Sequence, residues 1–180
     1  RESELISQAV EKVSPSVVRL YFGSEEGSTF IGLGVVLNAT GLVVADSWAL
    51  GEGGSAAIAL PDGTRVRAFV TSRDTFAGLS YLQATTSSDM KAPVWAPASV
   101  SSRQPVLGET VFMLSGKTVA RIGNGIVEAL FPGEEASASS SGRPVVIDTN
   151  IGQDSIMSGS PLVDTDGSIV GVSTGISRAS

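Results

Sequence analysis

One serine in this chain stands in a sequence context that suits a nucleophile. The stretch SIMSGSPLVDTDGSIVG, residues 155–171, places Ser158 ahead of two small residues, a proline and a run typical of a β-strand. A serine hydroxyl attacks a carbonyl carbon efficiently only when a neighbouring base accepts its proton. The chain contains no histidine, the residue that most often supplies this base. The motif therefore offers a nucleophile position without its usual partner.

Lysine is the next candidate for the missing base. Of the three lysines, Lys12, Lys91 and Lys117, we consider Lys117 in LSGKTVA for a serine–lysine pair, although this turn context favours an exposed lysine. Because histidine and cysteine are both absent, the commonest zinc ligands are missing. We expect no metal and no cofactor. The stretch VDTDGS, residues 163–168, resembles half of a calcium loop, but no glutamate follows at the required spacing and Asp-Gly is typical of a hairpin turn.

Composition limits the class of protein. With 180 residues, of which 42% are hydrophobic, the chain is long enough to bury a core. Its formal net charge is -6 and no basic run occurs, so we expect no nucleic-acid partner. No apolar run reaches the roughly 18 residues that span a bilayer, and we expect any membrane tether to lie outside this chain.

The pattern along the chain predicts a short helix followed by many strands. ESELISQAVEKV has apolar residues at helical spacing, and Pro15 indicates its end. Two sets of short β-rich runs follow, separated by turn signals such as LPDGT. The first set covers residues 17–22, 30–37, 41–46, 55–60, 64–72 and 79–84. The second covers 109–115, 118–130, 143–149, 160–165 and 168–176.

These runs predict an all-β protein with two lobes. We predict an N-terminal helix at residues 1–13, the first β-barrel lobe at 14–90, a connection rich in proline and serine at 91–108, and at 109–180 a second lobe that we expect to be open or completed from elsewhere. Residues 131–142, FPGEEASASSSG, are predicted to form a polar loop.

Several stretches resemble one known family. They include GLGVVLNATGLVVADSWAL, LPDGTRVRAFVTSRDTFAGLSYLQ and DTNIGQDSIMSGSPLVDTDGSIVGVST. In order and spacing they resemble the protease domain of the HtrA (DegP-like) trypsin-like serine proteases, over about residues 6–176. The resemblance implies a chymotrypsin/trypsin-like double β-barrel with a short N-terminal helix.

The resemblance carries over onto this chain residue by residue, and it breaks at the catalytic positions. The nucleophile position is kept as Ser158, whereas the position of the general base carries Trp48 and that of the orienting aspartate carries Gly78. An indole N–H only donates, so Trp48 cannot accept the serine proton. The family has a glycine at an oxyanion-hole position where this chain has Ile156, and we expect that N–H donor to be misaimed.

The sequence therefore predicts a pseudoprotease with Trp48 beside Ser158, filling the core or the cleft. Its expected partner is a protein or peptide in the inter-lobe cleft, with the 131–142 loop as a candidate sensor. The alternative is an atypical serine endopeptidase in which Lys117 or a partner chain activates Ser158. An open edge of the second barrel predicts dimers, and the resemblance implies an extracytoplasmic location.

Overall fold

The computed structural model describes residues 1–23, 28–86, 91–132 and 145–176. It contains the helices α1 (Glu2–Val13) and α2 (Ser47–Leu50) and eleven strands. The strands are β1 (Val17–Phe22), β2 (Thr29–Val36), β3 (Leu42–Asp46), β4 (Ser55–Ala59), β5 (Arg65–Asp74), β6 (Leu79–Ala84), β7 (Thr110–Ser115), β8 (Arg121–Pro132), β9 (Val145–Thr149), β10 (Pro161–Asp164) and β11 (Ile169–Val172). Most of the predicted loop at 131–142 lies outside the described residues, and its first two positions end β8.

The first lobe is a closed barrel with strand order β1-β2-β3-β6-β5-β4. Alternation along the strands explains why it closes around an apolar interior. In β4, for example, Ala56 and Ile58 are buried while Ser55, Ala57 and Ala59 lie on the other face. The barrel core consists of Val18, Leu20, Val36, Val43, Ala45, Leu50, Ala56, Ile58, Leu60, Val66, Ala68, Leu82 and Trp95.

The second lobe is, within the described residues, an open five-stranded sheet with order β11-β10-β7-β8-β9. Its own core is smaller: Val111, Met113, Val127, Ile151 and Leu162. The outer side of β11 is partly covered by the connection between the lobes, because Val100 forms a parallel bridge with Ile169. The sheet curls, so that Ile147 of β9 approaches Gly171 of β11. The architecture matches a chymotrypsin-like double barrel whose second half is open.

A third cluster packs the lobes against each other and against α1. Apolar side chains on the outer faces of β1, β2 and β3 meet those of β7, β10 and β11. The buried members are Ala9, Val13, Val17, Leu33, Val35, Val44, Phe112, Leu114, Val163 and Ile169. Only one stripe of α1 is buried, at Ala9 and Val13, which fits the amphipathic spacing of its sequence. No helix in the described part of the chain is long and apolar enough to cross a bilayer.

Candidate functional site

A buried aspartate lies at the centre of the seam between the lobes. Asp46 is the last residue of β3 and the N-cap of α2, where its carboxylate accepts the backbone N–H of Trp48 at 3.0 Å. This capping bond explains why a short helix begins directly after the strand. Asp46 is 1% exposed. A polar side chain buried this deeply requires hydrogen-bond partners around it.

Two further donors to Asp46 come from the second lobe. The hydroxyl of Ser158 donates to Oδ2 of Asp46 at 2.5 Å. The backbone N–H of Gly175 contacts both carboxylate oxygens, at 3.0 and 3.1 Å. A single side chain of the first lobe therefore holds the loop of Ser158 and the segment that follows β11.

The loop of Ser158 also lies directly on β2 of the first lobe. The carbonyl of Ser158 accepts the N–H of Leu33 at 2.9 Å. Gly159 has a φ of +81°, and a side chain there would collide with the Leu33 carbonyl. Backbone-to-backbone contact this close requires glycine at 159 and fixes the position of the Ser158 hydroxyl.

Trp48 lies near this site but is not buried in it. Its side chain is 71% exposed, and its Cβ and Cγ pack on the backbone of Gly175. The expectation that Trp48 fills the core or the cleft is therefore wrong. The physical reason is the position of α2 at the surface end of β3: Gly175 has no side chain, so the indole lies over its backbone and faces solvent. The group that contacts Ser158 is Asp46, two residues earlier.

Gly78, at the position that the family gives to aspartate, lies next to the same segment. It has a φ of +73°, and its carbonyl accepts the N–H of Ser47 at 2.9 Å. A Cβ added at Gly78 would lie 2.8 Å from Cδ1 of Ile176. The aligned positions 48, 78 and 158 are thus gathered around Gly175 and Ile176.

The backbone N–H of Ile156 closes a short turn within its own loop. Its N–H donates to the carbonyl of Gln153 at 3.2 Å, and its backbone is extended, with a φ of -122°. This φ is ordinary for a β-branched residue. The N–H of Ile156 is thus engaged within its own loop.

The remaining sequence candidates have structural partners elsewhere. The ammonium of Lys117 lies 5.8 Å from the centroid of the Phe30 ring, and its carbonyl accepts Nε–H of Arg19. No contact between Lys117 and Ser158 occurs among the described residues. The carboxylate of Asp164 accepts the N–H groups of Asp166 and Ser168, which is the bonding of a hairpin turn.

Sequence reasoning missed Asp46. The available signal was an aspartate at the end of the apolar run GLVVAD, directly before the four-residue run SWAL that becomes α2. Asp is a preferred N-cap residue, but its contact with Ser158 joins residues 112 positions apart. No local pattern predicts such a contact.

Comparisons with known proteins agree with the fold. Residues 32–172 match the family model described as Trypsin-like peptidase domain. The chain is 28% identical over 179 residues to "Serine protease HTRA2, mitochondrial" of Bos taurus, covering 94% of this chain and 38% of that relative. In the solved structure described as "Crystal structure of Deg5", a chain with 22% identity superimposes with a TM-score of 0.76, covering 97% of this chain and 86% of the other.

Proposed function

This chain belongs to the family of trypsin-like peptidase domains, and from that premise we propose that it is a pseudoprotease: a domain that binds a protein or peptide, or regulates one, without cleaving it. One observation carries the proposal. The hydroxyl of Ser158 donates to the carboxylate of Asp46, while the position of the family's base carries an exposed indole. The serine is held by an acceptor rather than activated by an imidazole.

Neither neighbouring group replaces histidine well. The indole of Trp48 has no basic lone pair. A carboxylate is a much weaker base than imidazole and accepts a serine proton poorly at neutral pH. Asp46 also accepts N–H groups from Trp48 and Gly175, so both of its carboxylate oxygens already accept hydrogen bonds. These contacts support a structural role for Asp46.

The second oxyanion-hole position also favours inactivity. Removing one such donor commonly costs about 10² to 10³ in rate. The N–H of Ile156 donates to Gln153, so turning it toward a substrate would require this loop to rearrange. The proposal therefore includes a loss of hydrolysis that does not depend on Trp48 alone.

We place the ligand at the mouth of the inter-lobe cleft. Three large apolar side chains of these segments are exposed: Trp48 over Gly175, Ile176 next to Gly175 in the chain, and Phe76 in the turn before Gly78, at 71%, 47% and 62%. Exposed aromatic anchors of this kind often dominate peptide recognition. By similarity to HtrA-type proteases we also propose an extracytoplasmic location. The unpaired side of β9 is the edge through which we propose dimers.

The alternative function is an atypical serine endopeptidase that uses Ser158. The observation in its favour is the short hydrogen bond to Asp46, which orients the hydroxyl. Lys117 is the candidate base within this chain, but its described contacts are with Phe30 and Arg19. Activation by Lys117 or by a partner chain would therefore need a rearrangement.

A fluorophosphonate probe separates the two functions. A pseudoprotease gives no labelling above the Ser158→Ala blank, whereas labelling that Ser158→Ala abolishes would establish the enzyme. A second arm assays Trp48→His/Gly78→Asp, with and without Ile156→Gly, on an unfolded protein substrate. We expect no cleavage by the double variant, because the N–H of Ile156 donates to Gln153, and because position 78 has a positive φ and is crowded by Ile176. Robust cleavage by the double variant would contradict the oxyanion argument. Selection from an unbiased peptide library, with Trp48→Ala as the control, tests binding at the cleft.

A further inference from the structure

The outer face of the first barrel carries a second surface, on strands of which only β1 neighbours β2, the strand that contacts the Ser158 loop. Strands β1, β4 and β5 are neighbours there. In one row Ala59 lies between Arg19 and Arg65, and in the next row Ala57 lies between Tyr21 and Arg67. The central strand contributes only Ser55, Ala57 and Ala59 to this face. Small residues in the middle therefore form a shallow floor between flanking arginines; we call this surface the arginine face.

The guanidinium of Arg65 is held in place across this floor. Its Cζ lies 4.2 Å from the centroid of the Tyr21 ring, and Nη1 donates to the hydroxyl of Ser28 at 3.2 Å. Tyr21 in turn packs edge-on against Phe30, with ring centroids 5.6 Å apart. A stacked guanidinium keeps in-plane N–H groups free to bind a carboxylate, and little side-chain entropy is lost when it does so.

The described residues place no carboxylate on this face. Their ion pairs join Arg103 to Glu109 and Asp164, and Arg121 to Asp154. None involves Arg19, Arg65 or Arg67. The outward positions of β1, β4 and β5 that form the face carry no acidic residue. In a chain of net charge -6, the described residues therefore leave a local concentration of positive charge here without a paired carboxylate.

We propose that the arginine face binds an acidic peptide segment in extended conformation, with carboxylates at alternate positions. Arg65 and Arg67 are two residues apart on one strand face, which separates their Cα atoms by about 6.6 Å. Alternate residues of an extended peptide repeat at the same distance, so one carboxylate meets each guanidinium in a charge-assisted pair. Phe69, next on this face and 49% exposed, offers an apolar contact beyond the second pair.

A peptide fits this surface better than a polyanion or a membrane does. The face is only about two strand spacings wide, roughly 10 Å. A protein binds nucleic acids or anionic bilayers through basic side chains spread over a large surface. The remainder of this chain carries an excess of acidic residues, which would repel both. The paired charges lie on Arg65 and Arg67 of β5, which differ from the residues that contact Ser158, so the inference stands whether or not Ser158 is reactive.

The test measures fluorescence anisotropy of a fluorescein-labelled peptide of alternating glutamate and serine. We expect saturable binding that weakens as salt is raised, because the contacts are between exposed charges. Arg65→Gln/Arg67→Gln should weaken binding at least tenfold. The matched control, Arg1→Gln/Lys91→Gln, removes the same charge elsewhere and should leave binding nearly unchanged. Circular dichroism of both variants verifies folding.

Three further results would overturn the proposal. A peptide of the same composition with its glutamates in one block should bind more weakly, and equal binding would remove the spacing argument. Tighter binding to phosphatidylserine vesicles than to the peptide would assign the surface to lipid. Glu25 and Glu26 lie outside the described residues, so a Glu25→Gln/Glu26→Gln variant is included. Binding seen only in that variant would mean that the chain's own glutamates are the occupant.

Discussion

The two lobes differ in whether their sheets have unpaired edge strands. In the first, every strand has two neighbours, because β1 pairs with both β2 and β4 and the barrel closes. In the second, the described sheet ends at β9 and at β11, and only residues near Val100 cover part of β11. The closed lobe supplies Asp46, and the open lobe supplies Ser158 and Gly175, which Asp46 holds. The comparison suggests that the closed barrel is the rigid support, and that the open lobe is ordered by contact with it.

The largest expected effect comes from the cluster that both lobes share. Phe112 on β7 is fully buried there, so Phe112→Ala should lower the free energy of unfolding by about 3–5 kcal/mol. Because the barrel keeps its closed ladder, hydrogen-exchange protection should fall more in β7 and β10 than in β1 and β6.

The matched variant for this comparison is Leu82→Ala, which removes a fully buried side chain from the barrel core. We expect it to lower protection in β1 and β6 as well as in the second lobe. Equal loss of protection in both lobes after Phe112→Ala would show that the lobes unfold as one unit. It would contradict the view that the closed barrel stays folded while the open lobe loosens.

A smaller effect tests whether the closed lobe orders the open one. Asp46→Ala leaves the Ser158 hydroxyl and the Gly175 N–H without this acceptor, and should cost about 2–3 kcal/mol in urea unfolding. Asp46→Asn keeps one acceptor oxygen and should cost less. The exposed Asp154 provides the control, since Asp154→Ala should be nearly neutral. Faster amide exchange at Gly175 in Asp46→Ala would locate the effect.

Acid should loosen the open lobe through Glu109. The side-chain hydrogen bond from Arg103 lowers the pKa of Glu109 below its ordinary value of 4.5. The ionised form is therefore favoured in the folded state, and this stabilisation is present above about pH 4.5 and is lost as pH falls through the lower folded pKa.

The size of this pH effect is limited, because the Arg103 side chain is 49% exposed and the pair is screened by water and salt. Glu109→Gln should lose no more than about 1 kcal/mol, and should flatten the fall in unfolding free energy between about pH 5 and 3. The measurement is urea unfolding across that range in low and high salt. An unchanged pH profile in Glu109→Gln would contradict the assignment.

The smallest expected effect is that of Trp48→Ala. Because the indole is 71% exposed, the substitution should change the free energy of unfolding by no more than about 0.5 kcal/mol. Gly175→Ala should cost more, since the new methyl group would meet Cβ and Cγ of Trp48. Thermal unfolding of both variants measures the difference. A costly Trp48→Ala would show that the indole belongs to the seam after all.

Much of the fold could be predicted from the sequence, because it depends on local patterns. The alternation in SAAIAL and VVRLYF predicts β4 and β1 to within a residue, and Pro15 lies two residues after the end of α1. Order and spacing of whole motifs, rather than any single one, predict the double barrel.

The site could be predicted only in part, because its contacts depend on how distant elements pack. Alignment identified positions 48, 78 and 158, but it gave Trp48 a buried role that α2 does not allow. The bond between Asp46 and Ser158 and the stacking of Arg65 on Tyr21 each join separate strands or lobes. Neither leaves a periodic signal in the sequence.

The different surroundings of the two tryptophans have a practical consequence. Trp95 is 8% exposed in the barrel core, next to Gly41, whereas Trp48 lies in solvent over Gly175. The two indoles should therefore be distinguishable by fluorescence. Trp95 should emit at shorter wavelength and be quenched weakly by aqueous quenchers, whereas Trp48 should emit at longer wavelength and be quenched strongly. A ligand that binds at the mouth of the cleft would protect Trp48 from quenchers and leave the fluorescence of Trp95 unchanged. Ligand binding can therefore be followed by tryptophan fluorescence without an added dye.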